Sequence, residues 1–333
     1  MFIHTGRLKL FLILSLLVIA ALAVSGCGGG GTGEQAKDDY PAKEITFLQW
    51  NDPGSAGDTY VRTITKLAEA ELGQPIKIVT KTGGNGAEAL VDVLKAPGDG
   101  YTLSHFSSSL SGFMNMPGFP AKAEDFDYLV RAQVSTYMLA VNSKLPIKNV
   151  DEFIAYAKQN PDKLSITGSR IGSVHHQNLF NMINEAGVSL KYVPQEGGSA
   201  ALKEVLGGHV DGLVYDPAQI LPYVQEGTLR PIVVFAEEKD ANYPDVPTIN
   251  EAGFKMKPSY QVRGVMAKKG IPDNRKEIIV NAFNKAMETA EWEEYLKKTN
   301  TTYKKMTPED FTAEFLAETT EANDYLKKIG IVK

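Results

Sequence analysis

Residues 45–79 read ITFLQWNDPGSAGDTYVRTITKLAEAELGQPIKIV, and this stretch decides the fold class. Its first six residues, 45–50, are mostly apolar or β-branched and predict a buried strand. Residues 59–72 carry apolar side chains at helical spacing and are followed by Gly73, which is typical of a helix end. Residues 76–79 predict a second strand. A strand, a helix and a strand in this order form a βαβ unit, and such units build parallel sheets.

The same alternation of strand-like and helix-like patterns continues through the rest of the chain. The predicted strands are residues 101–104, 164–167, 191–193, 212–215, 232–235 and 264–267, and residues 128–141 are predicted to be largely extended. The predicted helices are residues 87–95, 150–159, 173–186, 199–206, 276–298 and 308–327. A chain of 333 residues is longer than one ordinary domain. We therefore predict two α/β lobes and not one large sheet.

Composition and charge exclude several classes of protein. Hydrophobic residues make up 43% of the chain, which is enough for a large core and excludes wholesale disorder. The chain has 35 Lys and Arg against 40 Asp and Glu, a net charge of -5, and no basic run. Nucleic acid is therefore not an expected partner. A single cysteine excludes an intramolecular disulfide and a Cys-rich metal site.

The N-terminal segment has the pattern of an export signal. Arg7 and Lys9 form a positive region, and residues 10–24 are apolar or small apart from one serine. This apolar stretch is shorter than a typical membrane-spanning helix. It leads into Val24-Ser25-Gly26-Cys27, where small residues precede the only cysteine of the chain. This end of the signal resembles the bacterial lipobox, so we predict that Cys27 carries lipid.

The predicted cleavage site divides the N-terminal segment into two parts. Residues 1–26 are expected to be a lipoprotein signal peptide that is removed. Residues 27–41 are rich in glycine and polar side chains and are expected to be a flexible tether between lipid and domain. The mature protein is then acidic and held on the outer side of a bacterial membrane, at the cell surface or in a periplasmic leaflet.

Three loops rich in glycine and small polar residues each lie between a predicted strand and a predicted helix. They are residues 51–58, 82–86 and 168–173. The carboxyl ends of parallel strands meet at one edge of a sheet, and the free N–H groups at the following helix starts favour anions. The loops therefore predict a pocket lined by backbone amides. None of them has the Walker or dinucleotide-binding pattern, and we expect no cofactor.

The histidines and Ser173 lack the patterns of a metal site or a catalytic site. His175 and His176 are neighbours on a predicted helix, where adjacent side chains point about 100° apart, so a shared metal ion is not expected. Ser173 beside His175 could suggest a hydrolase, but no nucleophile-elbow pattern surrounds it. We predict a protein that is not an enzyme and holds no metal.

A series of short motifs runs along nearly the whole chain that follows the N-terminal segment. In order they are PGSAGD (53–58), LGQP (72–75), GGNG (83–86), GDGYTL (98–103), NPDKL (160–164), GSVH (172–175), VP (193–194), LGGHVD (206–211), GTLR (227–230), PDVPT (244–248), EAG (251–253), RG (263–264) and GIP (270–272). This ordered set resembles the substrate-binding receptors of tripartite tricarboxylate transporters, also called Bug-type receptors.

The resemblance implies a fold, a ligand class and a partner. The fold is a type II periplasmic-binding-protein fold with two α/β lobes around a cleft. Residues 42–140 plus 262–333 are expected to form lobe 1 and residues 141–261 lobe 2, with a hinge near residues 140 and 260. The ligand would be a small di- or tricarboxylate or a related carboxylate, held mainly by backbone N–H groups, hydroxyls and waters. A monomeric receptor would deliver it to the membrane permease subunits.

The resemblance also places candidate ligand-binding residues in both lobes. From the first lobe they are Asn51, Gly54, Ser55, Gly83, Gly84, Asn85, Ser107 and Ser108. From the second lobe they are Thr167, Ser169, Arg170, Gly172, Ser173 and Asp216. Asp216 would orient a water or a ligand amine. Tyr137, Tyr215 and Tyr260 are further candidates for the cleft wall.

One charge departs from the pattern of the family. Asp52 follows the first strand, and a carboxylate there would repel an anion, so either it points away or the ligand is less anionic than a plain dicarboxylate. Arg170 could compensate by pairing with a ligand carboxylate. Two other functions stay open: a ligand-sensing co-receptor for a membrane signalling kinase and, less favoured by the motifs, a hydrolase.

Overall fold

Two five-stranded sheets, each covered by helices, make up the described part of the chain. The computed structural model describes residues 39–333. The strands of these residues are β1 (Ile45–Gln49), β2 (Ile76–Thr80), β3 (Thr102–Ser107), β4 (Phe126–Ser135), β5 (Tyr137–Asn142), β6 (Ser165–Gly168), β7 (Lys191–Pro194), β8 (Gly212–Tyr215), β9 (Leu229–Phe235) and β10 (Gln261–Lys268). The first sheet has the order β2-β1-β3-β10-β4, and the second has the order β7-β6-β8-β5-β9. The prediction of two α/β lobes is confirmed.

Both sheets combine parallel and antiparallel strands. In the first sheet β1 runs parallel to β2 and β3, with Phe47 opposite Ile78 on one side and Leu103 on the other. Strand β10 inserts antiparallel between β3 and β4. In the second sheet β6 runs parallel to β7 and β8, and β5 inserts antiparallel between β8 and β9. Each lobe therefore has a set of parallel strands whose carboxyl ends share one edge.

Helices begin and end where the sequence supplies capping residues. Within residues 39–333 they are α1 (Ala56–Leu72), α2 (Ala87–Lys95), α3 (Leu110–Phe113), α4 (Val150–Gln159), α5 (Val174–Ala186), α6 (Gly198–Leu206), α7 (Pro217–Gln225), α8 (Asp273–Ala286), α9 (Ala290–Thr299) and α10 (Pro308–Lys328). The first βαβ prediction is confirmed: α1 starts after Ser55, whose Oγ accepts the N–H of Asp58 at 3.3 Å, and stops at a left-handed Gly73.

One prediction of secondary structure is wrong, and two helices, α3 and α7, are not predicted from the sequence. The single helix predicted over residues 276–298 is two helices, because the Oγ1 of Thr289 accepts the N–H of Trp292 at 3.2 Å and starts α9. Helix α7 was not predicted, since Pro222 lies inside it and reads as a helix breaker. Its start is well defined, because Asp216 caps it and Pro217 occupies its first position.

The chain passes between the two sheets at two places. Residues 128–141, which the sequence predicts to be extended, are two strands of different sheets: β4 ends at Ser135 in the first sheet and β5 begins at Tyr137 in the second. The return runs between the end of β9 at Phe235 and the start of β10 at Gln261. These two connections are the passages between the lobes.

Separate hydrophobic cores lie behind the two sheets. In the first lobe, Phe311 and Phe315 of the C-terminal helix α10 each pack edge-on against Phe106, with ring centroids 4.8 Å apart. This packing places the C-terminal segment on the first sheet. In the second lobe, Phe153 and Phe235 are fully buried members of a core under the second sheet. Burying such side chains stabilises each lobe by about 1.5–3 kcal/mol per residue.

Some predictions fall outside the described residues. These are the signal peptide over residues 1–26, the lipid attachment at Cys27 and nearly all of the tether over residues 27–41. Within the described part of the chain, no helix combines the length and the apolar character needed to cross a membrane.

Candidate functional site

A cavity of about 100 Å³ lies between the carboxyl ends of the parallel strands of the two sheets. The first lobe lines it with segments that follow β1 and β3 and with the start of β10. The second lobe lines it with segments that follow β6 and β7, with the end of β8 and with the start of β5. This is the edge at which open α/β sheets bind ligands.

A polar patch covers the first sheet where it meets the cavity. Gln261 and Arg263 are two residues apart on β10, so their side chains leave the same face of the strand. Arg263 lies opposite Ser107 on β3 and Gln133 on β4. The Nε2 of Gln261 donates to the Oγ of Ser107 at 2.9 Å, and its Oε1 accepts from the hydroxyl of Tyr137 at 3.1 Å. Since Tyr137 is on β5, the second bond joins the lobes.

Arg263 is a buried cation without a counter-ion among the described residues. Its exposed fraction is 7%. Its Nη1 donates to the Oε1 of Gln133 at 3.3 Å and to the Oγ of Ser135 at 3.0 Å, which are neutral acceptors. No acidic side chain of residues 39–333 forms a salt bridge with it. A guanidinium stays protonated and loses several kcal/mol of solvation on burial, so this position favours an anion in the cavity.

A chain of hydrogen bonds sets the protonation of His105. The Nε2 of Gln49 donates to Asp58 at 2.8 Å, which leaves its Oε1 to accept from the Nδ2 of Asn51 at 2.8 Å. The same Nδ2 lies 3.1 Å from the Nδ1 of His105. Nδ1 is therefore an acceptor, and the proton of the neutral ring is on Nε2. Burial and the nearby Arg263 lower the pKa of His105, so the ring stays neutral.

Two helix N-termini also face the cavity. Ser55, Ala56 and Gly57 at the start of α1 line it from the first lobe, and Gly197 and Gly198 at the start of α6 line it from the second. Both helices are long enough to present free N–H groups and the positive end of a helix dipole. Together with Arg263, these groups create a site that attracts negative charge from both lobes.

Glycine is required at two of these positions because the backbone packs closely against side chains. A Cβ on Gly57 would overlap the side-chain amide of Asn51, and a Cβ on Gly198 would overlap the ring of Tyr215. Neither glycine has a left-handed backbone, so glycine is required here because a side chain would not fit and not because of the backbone conformation. The close approach brings both helix starts up to the cavity.

Asp216 places a buried carboxylate in the same cavity. It follows β8 and caps α7, with its Oδ1 accepting the N–H of Ala218 at 3.0 Å. Its exposed fraction is 5%. Burial raises its pKa to about 6, against the lowering effect of Arg263. The raised pKa means that keeping Asp216 ionised at neutral pH destabilises the folded protein.

This raised pKa gives a prediction for the ligand-free protein. The ionised form of Asp216 is disfavoured in the folded state, so its contribution to stability falls as pH rises from about 4 to about 6 and stays low above that. We expect Asp216→Asn, which keeps a good helix cap, to raise the free energy of unfolding by up to about 3 kcal/mol at pH 8 and by much less at pH 4. Urea unfolding at both pH values measures the difference. An equal effect at both would contradict it.

Three neighbouring rings form the wall of the second lobe. His175 lies with its ring centroid 4.0 Å from that of Tyr137 and 6.2 Å from that of Tyr215. Burial lowers the pKa of His175 to about 3, so this imidazole is neutral. His176 turns the other way and packs against Tyr192 and Tyr325. The neighbouring histidines therefore diverge, as their spacing on the helix requires.

Six of the fourteen predicted ligand-binding residues line the cavity. They are Asn51, Ser55, Ser107, Ser169, Arg170 and Asp216. The first and third glycine-rich loops thus meet at one site. Arg170, however, forms an ion pair with Glu196 of its own lobe, so its charge is already compensated. Tyr137 and Tyr215 line the cavity, whereas Tyr260 lies in the wall of a different pocket.

The remaining residues predicted from the first lobe support the cavity from behind. The N–H of Gly54 donates to Asp58 at 3.0 Å. Gly83, Gly84 and Asn85 belong to a short 3-10 turn, Gly83–Gly86, whose last residue packs so closely on Trp50 that a Cβ on Gly86 would lie 2.8 Å from the indole. Trp50, not the turn, lines the cavity. Ser108 accepts from the N–H of Val262 at 3.0 Å and donates to the carbonyl of Tyr260 at 2.9 Å.

Those predicted from the second lobe are also supporting residues. The hydroxyl of Thr167 donates to the carbonyl of Val193 at 2.6 Å and is fully buried. Gly172 takes a left-handed conformation, and its carbonyl accepts from Gln177 at 2.9 Å. Ser173 caps α5 and is fully buried.

Sequence reasoning missed several residues of the site. Arg263 and Gln261 are not predicted because nothing local shows that β10 inserts into the first sheet, although Arg263 begins the RG motif at 263–264. The segment 195–199, QEGGS, is a glycine-rich turn between a strand and a helix. It carries the same signal as the three predicted loops and could have been found in the same way.

The fold and this cleft define a two-lobed periplasmic binding protein. The family model described as the tripartite tricarboxylate transporter family receptor matches residues 60–331. The chain belongs to this family, which consists of solute-binding receptors and not of enzymes. The resemblance inferred from the motifs is thereby confirmed.

Individual relatives agree with the family assignment. The chain is similar to the protein BugT of Bordetella pertussis, with 27% identity over 76% of this chain and 79% of BugT. It is similar to a solved structure described as a periplasmic transporter, with 28% identity, a TM-score of 0.80 and coverage of 88% of this chain and 99% of the other. It is also similar to MatC from Rhodopseudomonas palustris with bound malate, with 25% identity, a TM-score of 0.78 and coverage of 86% and 99%.

Proposed function

We propose that this protein is an extracytoplasmic receptor that captures a small organic acid in the cavity between its lobes and delivers it to the permease of a tripartite tricarboxylate-type transporter. The observation that carries the proposal is Arg263, a buried guanidinium at the cavity with neutral partners only among the described residues. A ligand carboxylate would supply the missing negative charge. The similarity to MatC, whose structure contains malate, supports a carboxylate ligand.

In this proposal the ligand bridges the lobes. Arg263 of the first lobe binds the carboxylate, while the N–H groups at the starts of α1 and α6 contribute from opposite sides. A ligand shifts an open-closed equilibrium only through contacts that differ between the two states, and a bridging ligand has such contacts. We place the hinge at the two connections between the sheets, near residues 136 and 236–260, and take them as the lobe boundaries.

In this proposal the N-terminal segment anchors the receptor to the membrane. Acylated Cys27 holds the receptor on the outer side of the membrane, and residues 27–41 act as the tether. The tether lets the domain reach permease subunits in the same membrane. Uptake of the labelled ligand by cells that lack this receptor tests delivery: uptake should be lost, and unchanged uptake would contradict the transport role.

The binding step is tested by thermal unfolding of the purified protein with malate, succinate, glutarate, benzoate and glucose. A carboxylate at about 100 times its Kd should stabilise the fold by about 2.7 kcal/mol, and glucose should not change the unfolding temperature. Stabilisation by glucose together with no response to any acid would contradict the proposal.

A further inference from the structure

The C-terminal helix α10 reaches from the first lobe to the second. Its first half packs on the first sheet through Phe311 and Phe315. Tyr325 lies about three turns further along and is buried. Its ring packs edge-on against His176 and Phe180 of α5, with centroids 5.8 Å and 5.4 Å apart. Because α5 follows β6 of the second sheet, Tyr325 joins the two lobes.

Hydrogen bonds accompany this contact between the lobes. The hydroxyl of Tyr325 is hydrogen-bonded to the Nδ1 of His176. The oxygen of the same hydroxyl accepts the backbone N–H of Gly172. The hydroxyl proton is therefore left for Nδ1, which acts as the acceptor, and the neutral imidazole carries its proton on Nε2. One side chain of the first lobe thus holds both the loop at 168–173 and the start of α5.

The same contact is connected to the ligand cavity through this loop. The ring of His176 also packs against Tyr192 of β7, with centroids 4.3 Å apart. The hydroxyl of Tyr192 donates to the carbonyl of Ser169 at 2.6 Å. Ser169 lines the ligand cavity, whereas His176, Tyr192 and Tyr325 lie outside its lining. These three rings therefore fix a ligand loop from behind.

The bond to Tyr325 requires a neutral His176. Burial lowers the pKa of His176 from its ordinary value of 6.5 to about 4. The titratable groups in contact with the ring are the hydroxyls of Tyr192 and Tyr325, and burial raises the pKa of both. The ring is therefore neutral at pH 7 while the lobes are together. A protonated ring would be a buried cation, and its Nδ1 could not accept a hydrogen bond.

Charged side chains of the neighbouring elements do not set this protonation. Arg170, in the loop before α5, forms an ion pair within its own lobe. On α10, Glu321 lies about one turn before Tyr325 and forms an ion pair, and Lys328 lies about one turn after it and is exposed. The lowered pKa of His176 follows from burial of the ring.

We propose that Tyr325 and His176 form a latch that holds the two lobes together, and that protonation of His176 releases it. Both are positioning residues, because they act on the ligand through the loop at 168–173. The inference goes beyond the proposed function and does not depend on which ligand binds.

The direction of the pH dependence follows from the exposure of the ring. When the lobes part, His176 gains water and its pKa returns toward 6.5. Closing the lobes then expels a proton below this pH. The closed arrangement therefore has its full stability above about pH 6.5 and loses it progressively as the pH falls toward 4.

Small-angle scattering of the purified, ligand-free protein at pH 7.5 and pH 5 tests the latch. The natural protein should have a larger radius of gyration at pH 5. His176→Asn keeps an acceptor oxygen near the position of Nδ1 and cannot be protonated, so its radius should change much less. Tyr325→Phe removes only the hydroxyl and should already have the larger radius at pH 7.5.

His209→Asn is the matched control for the scattering. It removes an exposed histidine of the same lobe and should respond to pH as the natural protein does. A radius of the natural protein that does not change with pH, or an equal change in His176→Asn, would overturn the inference. So would a Tyr325→Phe protein with the radius of the natural protein at pH 7.5.

Ligand affinity gives a second readout by isothermal titration calorimetry at the same two pH values. The probe is whichever of malate, succinate, glutarate and benzoate stabilises the protein most in the thermal unfolding. From pH 7.5 to pH 5, its affinity should fall about 5- to 30-fold more in the natural protein than in His176→Asn, at up to tenfold per pH unit below 6.5. Protonation of the acid and of Asp216 affects both proteins alike and cancels in this comparison. Equal falls would overturn the inference.

The two readouts separate this inference from the proposed function. If none of the four acids binds at pH 7.5, the proposed function fails, and the scattering alone decides whether the latch exists. If an acid binds but the two proteins respond equally to pH, the receptor stands and the latch fails.

Discussion

Arg263→Gln should abolish ligand binding by the purified protein. The substitution removes the guanidinium that we assign to the ligand carboxylate, and loss of one partner of a buried charge pair costs about 2–5 kcal/mol. We therefore expect the affinity for every acid that binds the natural protein to fall by at least about 30-fold. Isothermal titration calorimetry measures the affinities directly.

Stability separates a binding role of Arg263 from a structural one. Arg263 is buried beside the neutral acceptors Gln133 and Ser135, and glutamine can still donate a hydrogen bond to them. Since a buried charge without a counter-ion is itself destabilising, the ligand-free Arg263→Gln protein should unfold at the same denaturant concentration or a higher one. Arg263→Lys keeps the charge but loses the forked geometry, so its affinity should be intermediate. Retained affinity in Arg263→Gln would contradict the assignment.

Gly112→Ala should weaken ligand binding by preventing the lobes from meeting. Gly112 lies in α3 of the first lobe, and a Cβ at this position would overlap the carbonyl oxygen of Gly172 in the second lobe. This backbone-to-backbone contact exists only because Gly112 has no side chain. Overpacking costs about 1–3 kcal/mol, which corresponds to an affinity about 5- to 150-fold lower.

Gly112→Ala should raise the free energy of unfolding of the ligand-free protein, although it lowers the affinity for ligand. Gly112 is in a helix and has no left-handed backbone, so alanine favours the local structure once the lobes part. Small-angle scattering of Gly112→Ala should show an enlarged radius of gyration that ligand fails to reduce. Gly98→Ala is the matched control, because its Cβ would lie at an ordinary 3.5 Å from the carbonyl oxygen of Lys269. Equal affinities in the two variants would contradict this role of Gly112.

The βαβ units could be predicted because their signals are local. Residues 45–79 contain the apolar spacing of the strands and the helix, and Ser55 and Gly73 mark the ends of the helix. The loops that follow β1 and β6 could be placed at the site for the same reason, since the carboxyl ends of parallel strands converge. These parts of the fold depend on neighbours within a few turns of chain.

The parts that could not be predicted depend on contacts between distant segments. Strand β10 pairs with β3 and β4 only after more than a hundred residues have formed the other lobe, and this pairing brings Arg263 to the cavity. The ion pair of Arg170 also depends on tertiary structure, because its partner Glu196 follows a different strand. The turn at 83–86 shows the opposite case: its glycines resemble ligand contacts, but one of them, Gly86, provides close packing against Trp50.

The buried charges of Arg263 and Asp216 affect the stability of the ligand-free protein, and the charge of Arg263 is also proposed to bind the ligand. Arg263 and Asp216 are both buried, both lack a salt bridge among the described residues, and both destabilise the ligand-free protein in their charged forms. A ligand carboxylate that pairs with Arg263 would recover the part of that free energy that belongs to the guanidinium. In the proposed function, a residue that lowers the stability of the empty protein therefore provides affinity for the ligand.

The most direct test of a cleft that captures an acid is the structure of the complex with the acid that binds most tightly in the titrations. We predict a ligand carboxylate oxygen about 2.7–2.9 Å from a guanidinium nitrogen of Arg263, with further contacts from the start of α6 in the other lobe. A ligand bound outside this cavity, or within it with Arg263 left without a carboxylate, would contradict the account.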